Sequence, residues 1–375
     1  MHLGLLAPTN GLGLFGALMV ALLILTNAGY VGEKLGVMDR PDGIRKTHKQ
    51  ITPLVGGLAI MVSLILWAGS MLVVGVALDT NLLIAVALCG AGVTLVGYAD
   101  DQSSTSPSSR LLSLLLFAMV ALVVDPDLVP ATINWGSFAP TAIPAWFAFV
   151  LIAVAMAGYV NSVNMADGQN GVVLGMYTIW AACLMIVTDG TTEIVAQVLF
   201  ETAFVTLLFN MTSRVFIGDS GSYGVSFVFG LLAIRAHNRW GVSAETIAVW
   251  FYIPVLDCLR LMMSRLLQGQ VPSDADRNHF HHRLQDRVGE PIGLTIYLGT
   301  VGASSLVASL MPHLSLICLV VLSGFYFSFA WLAKADGDEK SDATGAEPSR
   351  EGETRPAGNV SVLNFDAKNS SSGQR

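Results

Sequence analysis

The sequence predicts an all-α, polytopic integral membrane protein. It should be a bundle of about eleven transmembrane helices, with its chemistry-bearing loops on one membrane face. Three observations carry this. Hydrophobic residues make up 53% of the 375 residues and charged residues only 13%, about half the charged share usual in a soluble domain. The mean hydropathy is +0.62. Apolar runs of about 20 residues, the length that crosses bilayer hydrocarbon as a helix, recur from Leu12 to Trp331. Such a composition excludes a disordered chain, a fibrous chain and a nucleic-acid binder.

The first window, 12–31, lacks the basic start and small-residue cleavage site of a secretory signal and is expected to remain as a span. Windows 54–78 and 82–98 follow, then 110–124, short enough to require tilt or local thinning of the bilayer. Windows 143–160, 171–188, 194–210, 222–236, 244–266, 292–311 and 314–333 complete the set. Internal repeats, the mark of many transporter folds, do not stand out. Cys89, Cys183, Cys258 and Cys318 sit singly in apolar runs and read as packing residues. Residues 1–335 form the membrane domain, and 336–375, rich in Gly, Ser, Asp, Glu and Asn, read as a disordered tail. An odd number of spans puts the two ends on opposite sides. All of the 20 lysines and arginines except Arg235 and Arg239 fall on one side. That side, with the tail, is predicted to be cytoplasmic, and the N-terminus outside.

The titratable, glycine-rich loops all fall on the predicted cytoplasmic side, as an enzyme working at one membrane face requires. In GYADD, Asp100 and Asp101 diverge by about 100° if helical, so one can face a cation while the other meets a substrate oxygen or proton. Two acids at an apolar boundary are costly without a cation. NSVNMADGQNG spaces Asn161, Asn164, Asp167 and Asn170 by three, near one face of a helix. Their oxygens suit a hard cation and their amides a base or sugar; a capped turn is the structural alternative. FIGDSGS puts Asp219 at the opening of a span, where unpaired N–H groups attract phosphate and an acid can hold Mg²⁺ against it. PSDADRNHFHHRL supplies His279, His281, His282 and Arg283, a set suited to clamping a diphosphate. Lys46, His48 and Lys49 in the first loop, and Arg110 at the start of the fourth span, are further phosphate candidates. Asp257 and Arg260, one turn apart, read as an ion pair closing the bundle, and Glu201 has two readings.

Taken in order, RKTH…PLVGG, GYADD, NSVNMADGQNG, FIGDSGS, PVLDxxR and DRNHFHHRL resemble the polyprenyl-phosphate N-acetylhexosamine-1-phosphate transferases, over roughly residues 30–335. The histidine loop is most similar to the undecaprenyl-phosphate GlcNAc-1-phosphate transferase branch. It is less similar to the phospho-MurNAc-pentapeptide transferases, whose histidine triplet is uninterrupted. Asn170 stands where many bacterial members carry the second acid of DGxDG, as in dolichol-linked relatives.

The resemblance implies transfer of a sugar phosphate from a UDP-N-acetylhexosamine to undecaprenyl phosphate in the bacterial inner membrane, starting a surface polysaccharide. It implies Mg²⁺ (or Mn²⁺) held by Asp219 with Asn164. Asp100 would assist or deprotonate the lipid phosphate, and Asp101 would position the metal or nucleophile. Asn161, Asp167 and Asn170 would lie near uridine, while Arg110, His279, His281, His282 and Arg283 would bind the diphosphate and sugar. Lys46, His48 and Lys49 would lie near the lipid phosphate. Membrane lipids and a second copy in a homodimer are the expected partners, and nucleic acid is not. The competing readings are the peptidoglycan-branch transferase and, from another class, a lipid or solute transporter.

Overall fold

A computed structural model describes residues 8–41, 50–269 and 279–344, with side chains between 11 and 329. Every predicted apolar window falls on a helix. The helices are α1 (Pro8–Thr26), α2 (Ala28–Leu35), α3 (Gly56–Val74), α4 (Thr80–Gln102, widened to a π-turn at Ala85–Cys89), α5 (Pro107–Val124), α6 (Ala145–Ala166) and α7 (Val172–Val187). They continue with α8 (Gly190–Met211), α9 (Gly218–Trp240), α10 (Ala244–Leu267), α11 (Phe280–Val288), α12 (Glu290–Leu310) and α13 (Ser315–Thr344). Among the described residues, eight helices are long and apolar enough to cross a membrane, and nine if α1 and α2 count as one span. The fold is a polytopic helical membrane bundle. Its compact unit ends at Ala333, and the backbone of α13 continues to Thr344, past the expected start of the tail. Residues 345–375 lie outside the described residues.

The expected span 12–31 is bent by 75° at Asn27. Thr26 Oγ1 donates to the Leu22 carbonyl at 2.7 Å and Asn27 Nδ2 to the Leu23 carbonyl at 2.8 Å. Side chains that bond back onto the preceding turn compete with continuation of the helix, and Asn27 itself leaves helical geometry (ψ 20°).

α9 is the central helix. From Gly218 to His237 its side chains are buried, apart from Asp219 and Ile234, which are half-buried. Its approach to α3 is a backbone contact: a Cβ on Gly57 would strike Gly221, and one on Gly221 would strike Gly57. Loop segments are stitched to the same end of the bundle. Met38–Asp39 pairs antiparallel with Thr52–Pro53. Phe216 N–H then donates to the Pro53 carbonyl at 3.0 Å, while Gly56 and Gly57 donate to the Phe216 and Ile217 carbonyls, each at 2.9 Å.

Pro254 lies inside α10 and has no N–H for the Trp250 carbonyl one turn back. The Trp180 indole N–H of α7 donates to that carbonyl at 2.8 Å, so the group is satisfied inside the membrane.

At the opposite end of the bundle the charge pattern differs from a simple loop count. Arg235 is buried, paired with Asp79 and Asp125, and lies 3.4 Å from Asp127; Arg239 reaches Asp79 at 3.3 Å. Polar groups are therefore present at both ends, and here the two arginines are paired with acids.

Candidate active site

α4 delivers the acid pair to two different tasks, as the angular divergence predicts. Asp100 Oδ1 accepts from Thr105 N–H at 2.7 Å and from its hydroxyl at 2.9 Å, and Oδ2 accepts from Arg110 Nη1. The Asp100 and Asp219 carboxyls lie beside each other. Asp101 turns to the first turn of α9: Oδ1 accepts from Asp219 N–H at 2.8 Å and Oδ2 from Ser220 N–H at 3.0 Å. Ile217, at the N-cap position of α9, has no side chain able to do this. Asp101 is therefore a cap supplied by a neighbouring helix. The turn expected to attract phosphate has its first donors already engaged by this carboxylate. Gly97 makes the arrangement possible, because a Cβ there would strike the Asp219 carbonyl.

α6 ends at Ala166, so only Asn161 and Asn164 share a helical face. Gly168, with its N–H on the Ala166 carbonyl at 2.9 Å, turns the chain before Asn170, and Gly171, at φ +85°, turns it just after. Asn164 Nδ2 donates to Asp219 Oδ1 at 2.7 Å and to Ser222 Oγ at 2.8 Å, tying α6 to α9. Asn170 Nδ2 donates to Ser213 Oγ at 2.8 Å, and its oxygen accepts from Asn210 Nδ2 at 3.3 Å. Asn210 also accepts from Gly171 N–H at 2.7 Å and donates to the Val215 carbonyl at 3.0 Å. Buried Asn210 holds two loops together and was not among the sequence candidates, because an Asn at a helix end reads as an ordinary turn residue. Packing around half-buried Asp167, and then the charges of Asp219 and Asp101, raise its carboxyl well above the usual range.

The histidine loop is anchored by Asp257 of α10. Its Oδ2 accepts from His279 Nδ1 at 2.9 Å and Phe280 N–H at 3.2 Å. Its Oδ1 accepts from the Tyr326 hydroxyl at 2.6 Å and Arg260 Nη2 at 2.9 Å. The expected Asp257–Arg260 pair is thus present within a larger cluster. His281 is buried, and burial first, then the neighbouring His282 and His279, hold its pKa well below the ordinary imidazole value. α11 abuts the NMADG turn: a Cβ on Gly168 would sit 2.6 Å from His281 Nε2 and 2.9 Å from His282 Nε2. Arg283 follows on α11, half-buried and engaged. Lys46, His48 and Lys49 lie outside the described residues.

These elements surround a cavity of about 1550 Å³. Arg110, Asn161, Asn164, Asp167, Asn170, His279 and His282 line its polar part. Its walls continue along α5, α6 and α10 through Leu111, Leu114, Ala155, Ile247, Phe251, Val255 and Leu259. Asp100 and Asp219 stand one hydrogen bond behind it, through Arg110 and Asn164, and Asp101 behind Asp219. Among the described residues, no three His, Cys, Asp or Glu side chains converge to cage a metal. The Asp219 carboxylate, beside Asp100, and the Asn164 oxygen are the donors suited to a hard cation, and acids gathered so closely favour one. A cation that keeps few protein ligands and shares its coordination with phosphate fits this donor set.

Residues 83–237 match the model of glycosyl transferase family 4. The chain is 27% identical over 342 residues to the undecaprenyl-phosphate alpha-N-acetylglucosaminyl 1-phosphate transferase of Escherichia coli (strain K12), spanning 84% of this chain and 89% of the relative. It is 26% identical over 325 residues to the protein of that name from Salmonella typhi, spanning 80% and 84%. A Bacillus subtilis relative, a probable undecaprenyl-phosphate N-acetylglucosaminyl 1-phosphate transferase, is 24% identical over 276 residues, spanning 72% and 75%. The matched segment contains Asp100, Asp101, Arg110, the Asn161–Asn170 set and Asp219, and stops before Asp257 and the histidine helix.

Proposed function

We propose that this protein transfers N-acetylglucosamine 1-phosphate from UDP-GlcNAc to undecaprenyl phosphate, releasing UMP, at the cytoplasmic face of the bacterial inner membrane. The observation that carries the reading is the cavity. Its polar part has Arg110, amides and histidines suited to phosphate and nucleotide, and it continues between membrane helices along an apolar wall suited to a lipid. The relatives' names support the acceptor and the transferred group. The cytoplasmic assignment rests on the distribution of lysine and arginine, with the N-terminus outside.

An oxygen of the lipid phosphate attacks the sugar-bearing phosphorus as the bond to the UMP oxygen breaks. Asp100 orients that nucleophile and accepts any proton it still carries, though a phosphate monoester is largely ionised near neutral pH. Arg110 gives one N–H to Asp100 and has others for phosphate oxygens. His279, His282 and Arg283 act on the donor's diphosphate and sugar, with buried His281 packed beneath them, while Asn161 and Asp167 act near uridine. Asn170 holds its loop in place, and Asp101 fixes the backbone that presents Asp219. Mg²⁺ (or Mn²⁺), when held by Asp219 and Asn164, neutralises the diphosphate. Bringing two anions together makes such charge neutralisation the main catalytic demand.

The test uses purified protein with Mg²⁺, undecaprenyl phosphate and UDP-GlcNAc labelled on the sugar-bearing phosphate. Label should enter the organic phase, and more readily from UDP-GlcNAc than from UDP-GalNAc or UDP-MurNAc-pentapeptide. Label that stays aqueous with every donor would overturn the reading. A preference for the pentapeptide donor would move the protein to the peptidoglycan branch.

A further inference from the structure

Asp257 lies outside the segment matched by the family and was expected only to close the bundle through Arg260, yet four donors converge on its carboxylate. Two of them, His279 Nδ1 and Phe280 N–H, belong to the start of α11, the helix that carries His281, His282 and Arg283. The other two, the Tyr326 hydroxyl and Arg260 Nη2, come from α13 and α10, and Arg260 Nε also donates to the Tyr326 oxygen at 2.5 Å. Asp257 is buried, so this carboxylate is held in one orientation. A carboxylate only accepts hydrogen bonds, so a ring nitrogen 2.9 Å from it carries the proton. That assigns the Nδ1–H form to neutral His279 and leaves Nε2 for the cavity that this residue lines. The ring is steadied by Phe280, which is 2% exposed and packs against Tyr326 with ring centroids 4.8 Å apart.

We propose that Asp257 is a positioning residue for the transfer. It fixes the tautomer and direction of His279 so that the Nε2 lone pair accepts from a hydroxyl or amide N–H of the donor's sugar, and Tyr326 and Arg260 hold Asp257 in turn. The proposal rests on the sugar-phosphate transfer reading. A nearby carboxylate that orients a functional imidazole, when replaced, costs on the order of 10–100-fold in comparable settings.

The experiment is a double-mutant cycle on purified full-length protein, reading kcat and the KM for UDP-GlcNAc. Asp257→Asn keeps the size of the side chain and should lower kcat about 10–100-fold while KM moves little. In a His279→Ala background the same change should have almost no further effect, within about twofold, because its target is gone. Tyr326→Phe should give a smaller loss in the same direction, and it serves if Asp257→Asn does not fold. In protein carrying ¹⁵N-histidine, the His279 signals should report Nδ1–H in wild type and a changed tautomer balance in Asp257→Asn. Losses that multiply across the cycle, or a His279 tautomer that Asp257→Asn leaves unaltered, would overturn the positioning role while the transfer reading stood. Wild-type protein inactive with every donor would overturn both.

Discussion

Replacing Asp101 by asparagine separates two ways in which an acid can matter to this site. The carboxylate accepts one hydrogen bond on each oxygen, from the N–H groups of Asp219 and Ser220. An amide keeps one acceptor and turns an NH₂ toward the other donor. The change removes one charge-assisted hydrogen bond, worth about 1.5–3 kcal/mol, and the charge facing the helix N-terminus, worth about 0.3–1 kcal/mol. Together that is about 2–4 kcal/mol at the turn that sets the position of Asp219. At about 1.4 kcal/mol per tenfold, this amounts to roughly 30- to 700-fold in the balance between ordered and displaced turns. The measurement pairs a thermal-unfolding scan in detergent with label transfer to undecaprenyl phosphate. Asp101→Asn should lower both the unfolding temperature and kcat. Loss of activity at unchanged thermal stability would place Asp101 in the chemistry instead, and a variant unchanged in both would refute the capping argument altogether.

Three further outcomes are expected. Asp219→Ala loses the side-chain bond from Asn164 but also removes one of the two acids crowded beside each other at Asp100, so membrane levels and unfolding temperature should hold while turnover disappears; retained turnover would remove Asp219 from the metal role. Asp167 has a raised carboxyl pKa when folded, from burial and then from Asp219 and Asp101. Its contribution to stability is therefore present below the unfolded value of about 3.9 and is lost as pH rises through the folded value. Asp167→Asn should consequently gain thermal stability over wild type as pH rises from 4 toward neutrality, and parallel profiles would contradict this. Arg235→Ala strips the buried cation from Asp79 and Asp125. Breaking such a group costs about 3–5 kcal/mol, so the amount of folded protein recovered from membranes should fall sharply.

The membrane architecture was legible because hydrocarbon thickness imposes one length on every crossing, and the apolar windows carry that length openly. The bend at Asn27 was not, since it depends on side chains returning to their own helix rather than on hydropathy. Asp100, Asp167, Asp219 and their amides stood out as polar residues in an apolar chain, and the fold gathers them. Their division of labour was hidden. Asp101 reads like its neighbour until α9 is seen lying across it. Asp257 is 22 positions from His279, a separation to which no periodicity applies. Arg235 and Arg239 entered the charge balance only as the two cations of the far side, whereas packing puts Arg235 inside the bundle with its own acids.

The proline in α10 has a mechanical consequence. Phe251 and Val255 flank it and form part of the cavity wall, so the weakest point of that wall is fastened to α7 by one indole. Flexing the wall to admit a long chain must either carry Trp180 along or strand a carbonyl in hydrocarbon. The two helices are thereby geared, and the width of the opening becomes a property of the pair.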